Sequence, residues 1–318
     1  EHQTDDVRAL ALQARKYPNV DMPTAITQIA GRQVAAEKIP SWRDTDDIWY
    51  PKHLSLEQCS SEVTARYKAT LLKGNSLTDL TGGFGIDCAF LATRFKSAIY
   101  VERQQELCEI AAHNFPILNL NHINVKNEDG VSYLQAMSPV DCIFLDPARR
   151  NEHGGKTVAI SDCEPDVAEL EELLLNKAGQ VMVKLSPMLD LSLALKELQH
   201  VQEVHIISAN NECKELLLIL GQASVEEISI HCVNLPTKGT QEEQHFVFTR
   251  EQEQRSECNY TDTLENYLYE PNASLLKAGA FRSIASAFPV KKLHPNSHLY
   301  TSDVLVESFP GRAFHIIS

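Results

Sequence analysis

One stretch constrains the fold of this chain more than any other: Thr78-Asp79-Leu80-Thr81-Gly82-Gly83-Phe84-Gly85-Ile86-Asp87. A short apolar run ending in a carboxylate passes into a glycine-rich turn and then into a helical pattern. Such a strand-turn-helix unit lets the backbone pass close to a ligand at the carboxyl edge of a sheet. The flanking sequence agrees. Apolar runs at Ser76–Leu80, Ala98–Val101, Ile123–Lys126, Cys142–Leu145, Gln180–Leu185 and Glu203–Ser208 predict strands. Amphipathic stretches at Asp87–Phe95, Gln104–Asn114, Gly130–Ala136, Glu164–Asn176 and Leu191–Leu198 predict helices between them. The alternation gives an α/β fold with a mostly parallel sheet covered on both faces. Lys214–Leu220 follows its predecessor too closely for a parallel crossover, so the sheet is expected to close on an antiparallel hairpin.

Around this core the texture changes. Residues 1–70 read as an N-terminal helical region, with helices over Asp5–Tyr17, Pro23–Ile39 and Ser55–Leu72, the last with Ser55 and Gln58 at capping-box spacing. An acidic, aromatic loop from Pro40 to Pro51 separates the second from the third. Residues 71–250 form the α/β domain, and residues 251–318 a small C-terminal α+β segment. That segment reads as a charged linker over Glu251–Glu257, a short helix over Thr261–Tyr269, an amphipathic helix over Ser274–Phe288 and a loop over Leu293–Tyr300. The start without Met and the apolar ending His315-Ile-Ile-Ser318 suggest part of a longer protein.

Composition narrows the function. A net charge of −14 argues against a broad nucleic-acid-coating surface. From Pro271 onward, however, five Lys/Arg stand against two acids, which leaves room for a local basic patch. No run is long enough for a membrane span and no signal segment opens the chain, so a cytoplasmic protein is expected. The eight cysteines include no C-x-x-C, so they offer neither a zinc cage nor a disulfide framework, and no metal is expected. His294 and His298 lie four apart, but Pro295 breaks the helix that would bring them onto one face.

The candidate site gathers at strand ends. Gly82, Gly83 and Gly85 form the turn, while the third glycine of a dinucleotide fingerprint is replaced by Cys88. Asp79 beside the turn would repel a pyrophosphate and suits a cationic amino-acid end. Glu102, closing the next strand seventeen residues after Gly85, is placed to bind ribose hydroxyls. Asp129, with Glu128 as the alternative, is placed to face an adenine edge. The fourth strand runs into Asp146-Pro147-Ala-Arg149-Arg150, with Asp146 at the sheet edge and Pro147 fixing the next carbonyl. Arg149 and Arg150 are candidates for holding a base or phosphate, and Lys184, in a mostly apolar strand before Ser186-Pro187, either points into the cleft or snorkels at the surface.

In order and spacing, Asp79–Asp87, Glu102, Asp129 and Asp146-Pro147 resemble the successive motifs of class I S-adenosylmethionine (SAM)-dependent methyltransferases, with their Rossmann-like sheet. The lead-in Ser60-Ser-Glu-Val-Thr-Ala-Arg-Tyr-Lys68 and the turn Asp79–Gly85 are similar to the trimethylguanosine-synthase-like branch, which methylates guanine amino groups of RNA. Four further stretches resemble a bacterial group assigned as RNA methyltransferases: Glu57-Gln-Cys-Ser-Ser-Glu62, Asp146-Pro-Ala-Arg-Arg150, Glu212-Cys-Lys-Glu215 and Lys291-Lys-Leu-His-Pro-Asn-Ser-His298. Members of that group carry a ferredoxin-like segment and then a THUMP-like domain, which would lie beyond Ser318.

The resemblance implies SAM as cofactor, held by Asp79, Gly82, Gly83, Gly85, Glu102 and Asp129. It also implies an acceptor held by Asp146 and the Pro147 carbonyl, with tRNA or rRNA as substrate. Amino-group methyltransferases carry a second proline and an aromatic base clamp where this chain has Ala148 and Arg149. Arginine can stack on a base as a planar cation but does not reproduce that clamp. The fifth strand and its exit offer no cysteine nucleophile, which argues against covalent attack on a pyrimidine. A protein or small-molecule methyltransferase, and a SAM/RNA-binding module without catalysis, are the competing readings. Oligomeric state is not legible in the sequence.

Overall fold

The computed structural model describes residues 5–149, 159–236 and 242–317. The chain has a mixed α/β fold with a large, mostly parallel sheet and a small antiparallel sheet toward its C-terminus. Two compact units divide it: residues 1–146 with 176–180, and residues 147–175 with 181–318.

The first unit opens with helices α1 (Val7–Leu12), α2 (Met22–Lys38), α3 (Pro40–Arg43), α4 (His53–Gln58) and α5 (Glu62–Leu71). The single helix expected over Ser55–Leu72 is broken at Cys59-Ser60. Ser61, in extended backbone, caps α5 by accepting the Thr64 N–H, whereas α4 has no side-chain cap, so Ser55 is not a cap. Pro40, fixed for a helix start, turns part of the expected loop into α3.

Strands β1 (Ser76–Asp79), β2 (Ser97–Glu102), β3 (Ile123–Asn127) and β4 (Val140–Leu145) alternate with α6 (Ile86–Ala92), α7 (Gln105–Ile117) and α8 (Gly130–Ala136). They pair in parallel in the order β4-β1-β2-β3. The chain therefore steps outward from β1 to β3 and then returns to the other side of β1. That reversal is the switch point beside which open parallel sheets bind ligands. Core side chains from Leu77, Tyr100, Val101, Ile143 and Phe144 are almost fully buried.

The second unit begins with a two-strand ladder, β5 (Ala148–Arg149) against β6 (Cys163–Glu164). Then come α9 (Val167–Lys177), β7 (Ala178–Leu185), α10 (Leu191–Glu197), β8 (Val201–Ala209) and β9 (Glu212–Gly221). β8 and β9 are antiparallel, as the short connection through Asn210-Asn211 requires; both asparagines take positive φ. The sheet continues past this hairpin. β10 (Ser229–Leu235) lies parallel to β8 on its other side, and β11 (Gln244–Phe248) runs antiparallel to β10.

The C-terminal segment departs most from expectation. The charged stretch after Thr249 is a helix, α11 (Arg250–Arg255), because Thr249 and Gln252 form a capping box. The expected helix over Thr261–Tyr269 ends instead in β12 (Tyr267–Pro271), and the amphipathic stretch is two helices, α12 (Ala273–Ala278) and α13 (Phe281–Ala287), split by left-handed Gly279. Short strands β13 (Lys291–Lys292), β14 (Tyr300–Ser302) and β15 (Gly311–His315) complete a four-stranded antiparallel sheet in the order β13-β14-β12-β15. Local pattern misleads here because Tyr267-Leu-Tyr alternates only weakly, and its strand state is set by pairing on both sides with β14 and β15.

All eight cysteines are free thiols. Among the described residues no helix is long and apolar enough to cross a membrane.

Three imidazoles lie on the outer strands of the larger sheet, and two of them make stability pH-dependent. Burial first, and the neighbouring His205 second, push His231 down to about 4, against the opposing pull of Glu203. Burial foremost also lowers His245. An unfolded histidine takes its proton near 6.5, so the folded state binds fewer protons below that value. Stability is complete above about 6.5 and falls as pH drops toward 4. Urea unfolding in chelator-treated buffer should show a falling midpoint between about pH 7 and about pH 5, and His231→Gln should flatten that fall.

Candidate functional site

The glycine turn is built by what lies beneath it. An added Cβ at Gly82 would sit 2.2 Å from the ring of Tyr100, so glycine alone lets this buried ring pack under the turn. The Tyr100 hydroxyl donates to the Gly83 carbonyl at 2.5 Å, and its pKa is driven far up by burial, followed by Glu102. Gly83 has φ +54°, a left-handed conformation natural to glycine. A Cβ there would meet only the Thr81 carbonyl, at 3.9 Å, so this side of the turn faces open space. Gly85, also left-handed, heads α6.

The carboxylates sit around this turn as their strand positions predict. Asp79 is fully buried and accepts the Thr81 N–H at 3.0 Å. Glu102, buried at the end of β2, accepts the Gly83 N–H at 2.9 Å on one oxygen and the Gln104 N–H at 2.8 Å on the other. Each oxygen keeps lone-pair capacity, since a carboxylate offers about four acceptor sites. Asp129 caps α8 by accepting the Ser132 N–H at 2.9 Å and is exposed, as is Glu128. Asp146 follows β4 directly and is half-buried; its N–H donates to the Thr81 hydroxyl at 2.6 Å, tying the two sides of the switch point together. The first unit thus brings together Asp79, Gly82, Gly83, Gly85, Glu102, Asp129 and Asp146 at the carboxyl ends of its strands.

The other candidates belong to the second unit. Pro147 is buried and directly precedes the β5 ladder, in which Arg149 pairs with Cys163. Lys184 is buried in β7 at 7% exposure, so it is not a snorkelling surface lysine. Arg150 lies outside the described residues. The basic cluster near the C-terminus is largely occupied. Lys291 pairs with Glu265, buried Lys292 donates to the Pro295 carbonyl at 2.6 Å, and His298 stacks on Phe281 at 4.0 Å.

Two features of the site were missed in the sequence. Buried Lys68 of α5 forms a 2.7 Å ion pair with Asp87 of α6 and donates at 2.7 Å to Ser60, which in turn donates to Asp87. This joins the lead-in helix to the helix that leaves the turn. The aromatic loop does the same from the other side: Trp42 and Tyr50 pack on Phe84 with ring centroids 5.1 and 6.3 Å away. Gln28 fixes Tyr50 through both its N–H and its carbonyl, and Asn114 fixes Trp49 in the same way. The only available signal was the density of aromatics between Pro40 and Pro51. Cysteine chemistry finds no support here. Cys88 and Cys142 are buried; burial leads in raising both thiols, Cys142 to about 11.

Comparison with known proteins follows the same division. The family of protein-L-isoaspartate(D-aspartate) O-methyltransferases matches residues 36–151, and a ferredoxin-like domain family matches residues 267–310. The crystal structure of a Porphyromonas gingivalis W83 protein assigned as a methyltransferase superposes with a TM-score of 0.85. It is 36% identical, over 99% of this chain and 82% of that one. The chain belongs to the methyltransferase family of that protein. An rRNA methylase from Streptococcus thermophilus matches 51% of this chain and 96% of its own, with 14% identity and a TM-score of 0.38. A Streptococcus mutans protein assigned as a methyltransferase, solved with S-adenosylhomocysteine, matches 50% of this chain and 95% of its own, with 14% identity and a TM-score of 0.37. Likeness at that level carries no argument about acceptor. No curated protein matches. The chain is a SAM-dependent methyltransferase that carries a ferredoxin-like domain.

The buried ion pair in this methyltransferase is open to direct test. Lys68→Met strands the Asp87 charge and should cost about 3–5 kcal/mol in urea unfolding, whereas Lys68→Met with Asp87→Leu should recover most of the loss.

Proposed function

We propose that the methyltransferase binds SAM through Asp79, Gly82, Gly83, Gly85, Glu102 and Asp129 and transfers its methyl group to a base of tRNA or rRNA in the cytoplasm. Residues 71–250 would act as the catalytic domain, residues 1–70 as its helical cover and residues 251–318 as the ferredoxin-like appendage. The open side of Gly83, next to the acceptor oxygens of Glu102, suits a ribose; buried Asp79 suits the ammonium of the amino-acid end. SAM, once bound, supplies an activated methyl on a sulfonium. What the chain itself must do is align the acceptor in line with that methyl and tolerate one proton.

One observation carries the RNA reading: the Asp146-Pro-Ala-Arg-Arg150 segment leaves β4 at the switch point, with the Asp146 amide anchored on Thr81 of the glycine turn. In this reading the Asp146 carboxylate, with the Pro147 carbonyl, orients a nucleophilic group. Arg149, Arg150 and Lys184 then supply cationic contacts to base or phosphate. A second reading, methylation of a protein carboxylate, is favoured by the isoaspartate-methyltransferase match over residues 36–151 and by the net charge of −14.

Binding and turnover separate these readings. Glu102→Ala should weaken SAM binding in calorimetry by about 1–3 kcal/mol, through unpaired ribose hydroxyls and a loosened Gly83 amide. Asp146→Ala should leave SAM affinity nearly intact and abolish methyl transfer to RNA from cells lacking the gene, assayed with labelled SAM. Arg149→Ala and Arg150→Ala should weaken RNA binding, and for a phosphate-contacting arginine should lower the salt slope by about one unit. Label appearing in an isoaspartyl peptide and in no RNA would decide for the protein reading.

A further inference from the structure

We propose that the outer strands of the larger sheet in the second unit carry a transition-metal site, with Glu203 and His205 of β8, His231 of β10 and His245 of β11 as ligands to Zn2+. Pairing puts them on one face. His205 stands opposite His231 in the parallel ladder, and His245 is one step diagonal to His231, opposite Val233 in the antiparallel one. Glu203 lies two residues before His205, on the same side of the pleat. The opposite face is closed by Phe246, whose ring packs against Phe288, the residue that follows α13.

The distances suit a small ion. Ligating atoms of Glu203, His205 and His231 all lie within 4.8 Å of one another. Glu203 Oε2 is 3.1 Å from His205 Nε2, and His231 Nδ1 is 3.2 Å from His245 Nε2. Tetrahedral Zn2+ with bonds of about 2.0–2.1 Å has ligand-to-ligand edges of about 3.3 Å, so two edges are already near their metal-bound lengths. The His205 and His231 rings are stacked at 4.3 Å with 16° between planes, so ligation requires the outer rings to tilt. His205, 1% exposed, is the fixed anchor; half-buried His231 and exposed His245 have room to move.

Three imidazoles and one carboxylate select borderline cations such as Zn2+ or Co2+ over Mg2+ or Ca2+. Glu203, His205 and His231 are the mutually close ligands, and His245, beside His231, completes the set once its ring turns inward; four protein ligands then leave no position for a substrate, which makes the site structural. It would clamp edge strand β11 to β10 and β8.

The full chain, stripped with a chelator, should take up one equivalent of Zn2+ in calorimetry and gain thermal stability. Co2+ alone should give the visible absorption of a tetrahedral ion. His205 is a core residue whose replacement endangers the fold, so the outer ligands carry the test. His231→Gln, His245→Gln and Glu203→Gln should each weaken Zn2+ binding by about tenfold or more while leaving SAM binding unchanged. No stoichiometric uptake, uptake that all three variants leave untouched, or equally tight uptake of Mg2+ would overturn the proposal.

Discussion

The site rests on one close contact: the Tyr100 ring beneath Gly82, where a single methyl group would collide. Because the ring occupies that space, its hydroxyl reaches the Gly83 carbonyl and the turn takes the left-handed step that presents the Gly83 amide to Glu102. The strand that carries Tyr100 also ends in Glu102. Packing beneath the turn and a polar group beside it therefore come from one element, and neither can shift without the other.

Around this contact the molecule adds restraints from three directions. Thr81 links the turn to Asp146 across the switch point. Lys68, Asp87 and Ser60 lock the helix leaving the turn to the helix leading into the sheet. Trp42 and Tyr50 cover Phe84 at the turn's tip. A methyl transfer that depends on alignment profits from such a frame, since misplacement of reacting atoms by about 1 Å can cost about 100-fold in rate. The N-terminal helices are on this view part of the site's scaffold, which their polar, weakly patterned sequence does not announce.

The second unit divides its work differently. Its sheet passes the antiparallel hairpin and goes on through β10 to β11, with the ferredoxin-like sheet after them. The motif Lys291-Lys-Leu-His-Pro-Asn-Ser-His298, which reads as a basic surface, spends its cations internally, on Glu265 and the Pro295 carbonyl. A cluster of Lys and His in a sequence is thus no measure of free positive charge.

The parallel strands, the glycine turn and the antiparallel hairpin were legible in the sequence because each rests on local chemistry: alternation of apolar runs, tolerance of left-handed backbone, and a connection too short to cross over. Asp79, Glu102 and Asp146 were legible for the same reason, since a residue at a strand end needs only the strand to be placed. Other features were decided by tertiary structure alone. Tyr267–Pro271 is a strand because β14 and β15 flank it. Lys68 is buried because Asp87, nineteen residues on, neutralises it. Glu203, His205, His231 and His245 form one cluster only when β8, β10 and β11 lie side by side. Contacts between residues far apart in the chain are paid for by the closure of the whole fold, and no short window of sequence carries their signal.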